Sequence, residues 1–345
     1  MLTINDNKFM LFSDFHWGKG RDNEVKLESN DVFIDWMIGK CKLNKISTVI
    51  FTGDWFDNRN SISVKTSYMA YKSVERISAA GLKLIMLVGN HDAYLKDSIS
   101  INSISAYKNI DNVYIIEKYE EISICGNRVG IVPWEEQSGL NGSYACIFGH
   151  FEFMGAKLTA NNVLEHGINP GDLLKFSPMI YSGHIHYRND YQYKNGKIMT
   201  VGCPLPLDWG DCGNEKGVYI IDGNDFSYSF IKNDCNAEYK KIYLSQLPKG
   251  LDEVSGNYIK LVIDKECDFD KVLKIVGRIN EMKPIVQCET EFLYSSKIKL
   301  DEATGKAVED MNGSSVNDYV EEYISENKFE GLDMVKLKQI VMSYM

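Results

Sequence analysis

The strongest constraint on this chain is an ordered series of five apolar, strand-like runs, each breaking at its end into a cluster of polar residues. FMLFS runs into Asp14, Phe15 and His16; STVIFT runs into Gly53, Asp54 and, three residues on, Asp57; KLIMLV runs into Gly89, Asn90, His91 and Asp92. Further along, ACIFG reaches His150, and MIYSG reaches His184 and His186. Of the six histidines only His166 lies outside these clusters. Packing explains any one of them alone, and strand alternation explains Asp14 beside His16. Packing does not explain five at strand ends, and the glycines of the later clusters allow a close backbone turn beside polar side chains. Carboxylates and imidazoles together offer hard oxygen and borderline nitrogen ligands, suited to Mn2+, Fe or Zn2+ more than to Ca2+.

Between the early runs the apolar spacing changes to that of helices, over residues 30–43 and 65–80, with Gly81 as the stop of the second. Such alternation implies parallel strands with helical crossovers, which gather functional groups in the loops after the strands' carboxyl ends. From residue 113 to 148 the runs VYIIE, EISIC, RVGIV and ACIFG are short strands, and MIYSG, KIMTV, GVYII and FSYSFI read as a second, hairpin-rich sheet. The expected fold class is α/β: a two-sheet sandwich flanked by helices, with a smaller α+β unit and C-terminal helices. The boundaries drawn are 1–235 for the main domain, 236–300 for a β-β-α-β unit and 301–345 for a helical segment.

A chain of 345 residues with 44% hydrophobic and 25% charged residues folds rather than stays disordered. No apolar run approaches the roughly 20 residues of a spanning helix, and the start lacks a secretory pattern, so the expected compartment is cytoplasm without membrane contact. Eight cysteines never form a C-x-x-C pair and read as reduced packing residues. A net charge of −10 argues against nucleic-acid binding by the whole surface. Bound cations or a local basic patch escape that argument, because they invert the field where it matters.

The clusters match D-x-H, G-D-x-x-D, G-N-H-D, G-H and G-H-x-H in order over residues 14–186, and on these motifs the chain resembles the calcineurin-like metallophosphoesterases and, within them, the Mre11/SbcD nuclease family. The phrases IVPWEE, GHFEFMG, SGHIH and VGCPLPLDWGD are similar to the T4-type phage branch of that family, and the resemblance fades beyond about residue 230. It implies a metallophosphoesterase sandwich with one cation on Asp14, His16, Asp54 and His186, and another on Asp54, Asn90, His150 and His184. Asp54 would bridge the two, and Mn2+ is the expected ion, with Mg2+, Fe or Zn2+ as alternatives. The resemblance places His91 toward the leaving group as a catalytic residue and gives Asp57 and Asp92 supporting catalytic roles. Asp92 would orient a ligand or cap a turn. Some relatives carry a phosphate-touching histidine where Asp57 stands. Arg59 would contact phosphate or form a surface ion pair.

The resemblance further implies DNA as substrate in recombination, repair and replication, a homodimer within a heterotetramer, and an SbcC/Rad50-like coiled-coil ATPase as partner, in host cytoplasm if the chain is phage-encoded. The 236–300 unit would cap and position DNA, although its helix mixes Lys271, Lys274 and Arg278 with acidic neighbours. The stripe Met334, Leu337, Val341 and Tyr344 would pack internally or dock the partner. The chain contains no phosphate-binding loop for ATP. Residues 204–217 would border the site or be an ordinary loop. The chemistry stands apart from the name: two cations about 3.5 to 4 Å apart neutralise a phosphodiester and acidify water. Two other readings carry the same motifs: a phosphoesterase for cyclic nucleotides or phosphoproteins, and a non-catalytic DNA-end-binding scaffold.

Overall fold

The computed structural model describes residues 2–247 and 254–293; the 301–345 segment, with its expected helices and stripe, lies outside the described residues. β1 (Thr3–Ile4) is a short edge piece, and β2 (Lys8–Phe12), β3 (Thr48–Phe51), β4 (Lys83–Leu87) and β5 (Val113–Ile116) run parallel side by side. β6 (Glu120–Ile124), β7 (Asn127–Val132), β8 (Cys146–His150), β9 (Met179–Gly183), β10 (Asn189–Tyr193) and β11 (Gly196–Thr200) join β1 in a seven-stranded sheet of order β1-β6-β7-β8-β9-β11-β10. β12 (Gly217–Asp222) and β13 (Tyr228–Lys232) extend the first sheet to six strands, ordered β13-β12-β2-β3-β4-β5.

The apolar runs are continuous because the central strands are buried on both faces. Phe9 and Leu11 of β2, Ile50 of β3 and Ile85 of β4 point between the sheets, where they meet Phe148 and Tyr181. Their neighbours Met10, Phe12, Val49, Phe51, Leu84 and Met86 face two helices. The helix Glu24–Leu43 buries Leu27, Phe33, Ile34, Met37 and Cys41, and Val64–Ala79 buries Ala70, Val74 and Ile77. The first starts earlier than its periodicity predicts, because Asn23 caps it through Lys26 N–H and its exposed first turn hides the signal.

The sandwich is as expected, but the later strands divide differently from the sequence reading. β9 and β11 lie in the seven-stranded sheet, whereas β12 crosses to the other sheet and pairs antiparallel with β2, Tyr219 opposite Leu11. A pairing across some two hundred residues leaves no local trace. The last unit comprises β14 (Tyr239–Tyr243), β15 (Tyr258–Ile263), the helix Phe269–Glu281 and β16 (Glu289–Phe292). Its strands are all parallel, and it closes its own core around Ile259, Leu261, Val272 and Ile279. No helix among the described residues is long and apolar enough to cross a membrane.

Candidate metal centre

The parallel strands β2, β3, β4, β8 and β9 deliver their loops to one place. Asp14, His16, Asp54 and His184 all adopt left-handed backbone conformations, with φ of 52°, 54°, 64° and 78°. Such conformations cost of order 1–3 kcal/mol each for residues other than glycine and persist only where the surroundings hold them. Here the loops after β2 and β3 are zipped together: Asp14 N–H donates to Gly53 O at 2.9 Å, Phe15 N–H to Asp54 O at 2.9 Å and Trp17 N–H to Trp55 O at 2.8 Å. At Gly183 a Cβ would collide with Ser13 Oγ and Thr52 O, so only glycine lets the β9 loop lie against the other sheet.

Asp92 braces this arrangement from beneath. Its carboxylate accepts four backbone N–H bonds, from Asp54, Trp55, Phe56 and Gly89 at 2.9 to 3.2 Å. The sequence left imidazole orientation and turn capping open for Asp92; the structure gives it the backbone of two loops, with no histidine among its hydrogen-bond partners in the described residues. Burial and the charge of Asp54 push its carboxyl up to about 7.

The carboxylates of Asp14 and Asp54 are used alike. Asp14 Oδ1 accepts His184 N–H at 3.0 Å, and Asp54 Oδ1 accepts His91 N–H at 2.8 Å. Asp14 Oδ2 is buried without a hydrogen-bond partner among the described residues. Asp54 Oδ2 lies 3.9 Å from His16 Nε2 and 3.4 Å from His150 Nε2. Asp14, His16 and His186 bring ligand atoms within 4.8 Å of one another, and so do Asp54, His150 and His184. His16 Nε2 faces His186 Nε2 at 2.9 Å, and the Asn90 Oδ1 atom sits 2.8 Å from His150 Nε2 and 2.9 Å from His184 Nδ1.

Two of the opposite ring nitrogens, those of His150 and His184, have hydrogen-bond partners that hold the rings as imidazole ligands require, and a third, on His16, lies near a carboxylate. His150 Nδ1 lies 2.7 Å from Thr52 O, His184 Nε2 lies 3.3 Å from Glu152 Oε2, and His16 Nδ1 lies 3.4 Å from Asp57 Oδ1. His91 Nδ1 donates to Asp57 O at 2.6 Å, which leaves Nε2 for other work, and its ring stands edge-on to His16 at 5.0 Å between centroids.

Burial opposes charge throughout this site, and facing charges overcome it at Asp54, His150 and His16 but not at Asp14, His184 and His186. Burial lifts the Asp14 carboxyl, whereas the facing His150, His16 and His91 overcome burial at Asp54 and hold its carboxyl well below the usual range. Against burial, Asp54 and Asp14 raise the His150 ring to about 9, and Asp57, Asp54 and Asp14 raise His16. Burial and the charge of His150 lower His184 to about 4, and burial with His16 pushes His186 well below its ordinary value. The pocket demands positive charge beside Asp54. A divalent cation satisfies that demand while leaving the imidazoles neutral, the form in which they ligate.

Every expected ligand is therefore brought together: Asp14, His16, Asp54, Asn90, His150, His184 and His186. Asp57 stands at the rim, paired with His16 and 3.4 Å from Lys19 Nζ. Arg59 forms no ion pair among the described residues, and its Nη1 is buried without a partner there. Sequence reasoning missed Glu152 and Trp134, whose ring tilts against His184 at 4.9 Å and meets His150 edge-on at 5.9 Å. Glu152 lies two residues beyond His150, on the same side of a strand-like repeat, and that spacing was its available signal.

The calcineurin-like phosphoesterase family model matches residues 7–195, more than half of the chain and a span that contains all five clusters. The chain is also similar to Exonuclease subunit 1 of Enterobacteria phage T4, 29% identical over 297 residues that cover 79% of this chain and 85% of that one. With the SbcD chain of the nuclease SbcCD of Escherichia coli (strain K12) it shares 22% identity over 272 residues, 64% of this chain and 66% of that one.

Proposed function

Since the chain belongs to the calcineurin-like phosphoesterase family, we propose that it is a DNA nuclease with two divalent cations, hydrolysing phosphodiester bonds in DNA recombination and repair. The observation that carries this reading is Asp54, whose Oδ2 stands between imidazoles of two clusters, 3.9 Å from one and 3.4 Å from the other. Asp14, His16, Asp54 and His186 would hold one ion, and Asp54, Asn90, His150 and His184 the other. Mn2+ suits this mixture of oxygen and nitrogen donors. The ions supply positive charge against the anionic diester and acidify water.

The chain's own groups do the rest. Thr52 O and Glu152 fix the ring orientations of His150 and His184, and the Asp57 carboxylate lies beside the His16 ring. His91, held at Nδ1 by Asp57 O, presents Nε2 as the general acid that protonates the departing oxygen. Asp92 acts as a positioning residue, through the backbone of Asp54.

DNA as substrate and an ATPase as partner draw on the relatives' names, an exonuclease subunit and a component of the SbcCD nuclease. The 236–300 unit would cap and position DNA, and residues 301–345 would bind the coiled-coil ATPase, with the nuclease chain dimeric inside a heterotetramer. The deciding experiment incubates the full chain with Mn2+ and end-labelled DNA, a cyclic nucleotide or a phosphopeptide, with and without the copurifying ATPase. Loss of the DNA label is expected. Faster turnover of the cyclic nucleotide or phosphopeptide would overturn the substrate, and no hydrolysis of any of them would overturn the enzyme. Copurification that survives truncation before Gly331 would overturn docking through the stripe over residues 334–344.

A further inference from the structure

The loop of residues 204–217 carries a buried ion pair that the chemistry above leaves unused. Lys216 Nζ and Asp211 Oδ1 are 2.6 Å apart, with side chains only 3% and 6% exposed. A lone buried charge is costly, so a buried lysine is retained where all of its donors are satisfied. The ammonium has three protons and finds three acceptors: Asp211, Asn214 Oδ1 at 3.1 Å and the backbone carbonyl of His186 at 2.7 Å. The third bond ties the head of β12, in one sheet, to the metal-site loop after β9, in the other. Only His186 in its half of the site comes from the seven-stranded sheet, and this bond, beside the one its carbonyl accepts from Cys203 N–H at 3.3 Å, ties it toward the sheet that carries its partners Asp14 and His16.

The same loop touches the three-stranded unit. Asp211 Oδ2 closes the loop by accepting Leu207 N–H at 2.8 Å, and Tyr239 of β14 donates its hydroxyl to Leu207 O at 3.3 Å. Trp209 meets the Tyr239 ring edge-on at 4.9 Å, and Lys260 Nζ of β15 stands 4.3 Å from the Trp209 ring centre.

We infer that Lys216 is a positioning residue of the metal centre and that it transmits the seating of the three-stranded unit on Trp209 to His186. When that unit shifts, the loop moves Asp211, Asp211 moves the ammonium, and the His186 carbonyl follows. The inference rests on the two-cation reading above, and Mn2+ binding separates the two. Calorimetric titration of the full chain with Mn2+, with electron paramagnetic resonance to detect coupled ion pairs, reads each site without turnover.

In Lys216→Met the dissociation constant of the site containing His186 rises about 10- to 100-fold, the usual reach of a group that orients a ligand. The other site keeps its affinity, the coupled signal weakens, and saturating Mn2+ restores kcat. Tyr239→Ala, which loosens the unit without touching the pair, moves the same constant in the same direction by a smaller factor. Wild-type affinity at both sites in Lys216→Met, with only a lower melting temperature, would reduce the pair to a structural cross-link and overturn the inference. Should that variant fail to fold, unchanged affinity in Tyr239→Ala overturns the transmission. Fewer than two ions in the wild-type chain would instead sink the two-cation reading.

Discussion

On one side of Asp54 stand Asp14, His16 and His186; on the other stand Asn90, His150 and His184. Each half pairs a ring drawn upward in pKa with a ring pushed down, His16 with His186 and His150 with His184. Both take strand-end loops from the two sheets. They differ in the third donor and in what lies behind the rings. The first half has a second carboxylate, Asp14, and is backed by Asp57; the second has a neutral amide and is backed by Glu152 and the indole of Trp134. Coulomb attraction for a divalent ion grows with the carboxylates close to it. The expected consequence is stepwise filling, with the Asp14 half loaded first and the Asn90 half answering to the surrounding concentration.

The largest test removes what the halves share. Asp54→Ala is expected to lose both ions in calorimetry and to reduce hydrolysis to background, and one retained ion would show that the halves are independent. Next, His91→Asn leaves both ions bound but lowers kcat by about 10² to 10⁴, the usual span of general acid catalysis; a lost ion would return His91 to the ligands. Glu152→Gln and Asp57→Asn probe the halves separately, each weakening its own site by about 10- to 100-fold. Equal loss at both sites from either variant would erase the distinction drawn above.

The smallest effect per step is protonic, about tenfold for each pH unit. The His150 ring, raised to about 9, carries a proton at neutral pH, and a cation must displace it. Affinity of the Asn90 half should therefore climb by about tenfold per unit from pH 7 toward 9 and flatten above. Calorimetry in buffers of different ionisation heat, run near neutral pH, should register a released proton, and none would mean that the ring is already neutral.

Much of this was legible in the sequence because burial on both faces leaves continuous apolar runs, as in β2, β3 and β4, and glycine marks the ends of β3, β4, β8 and β9. The candidate ligands were legible because histidine and aspartate seldom follow such runs without a reason. What escaped was nonlocal. β12 and β13 carry no mark of their pairing with the first sheet, and the parallel pairing of β14 with β15 has no signal within the segment. Asp92 reads as a ligand neighbour in the chain, but its four backbone bonds appear only once the loops fold. Lys216 looks like a surface lysine until the carbonyl of His186 stands beside it.

The left-handed backbone at Asp14, His16, Asp54 and His184 has an evolutionary implication. Glycine fits these torsions without steric penalty and asparagine comes close, yet neither supplies the carboxylate or imidazole donors that these four positions furnish. Backbone ease and donor chemistry pull apart at these four places, so the torsional cost is one that a chain kept only for its fold would have no cause to carry.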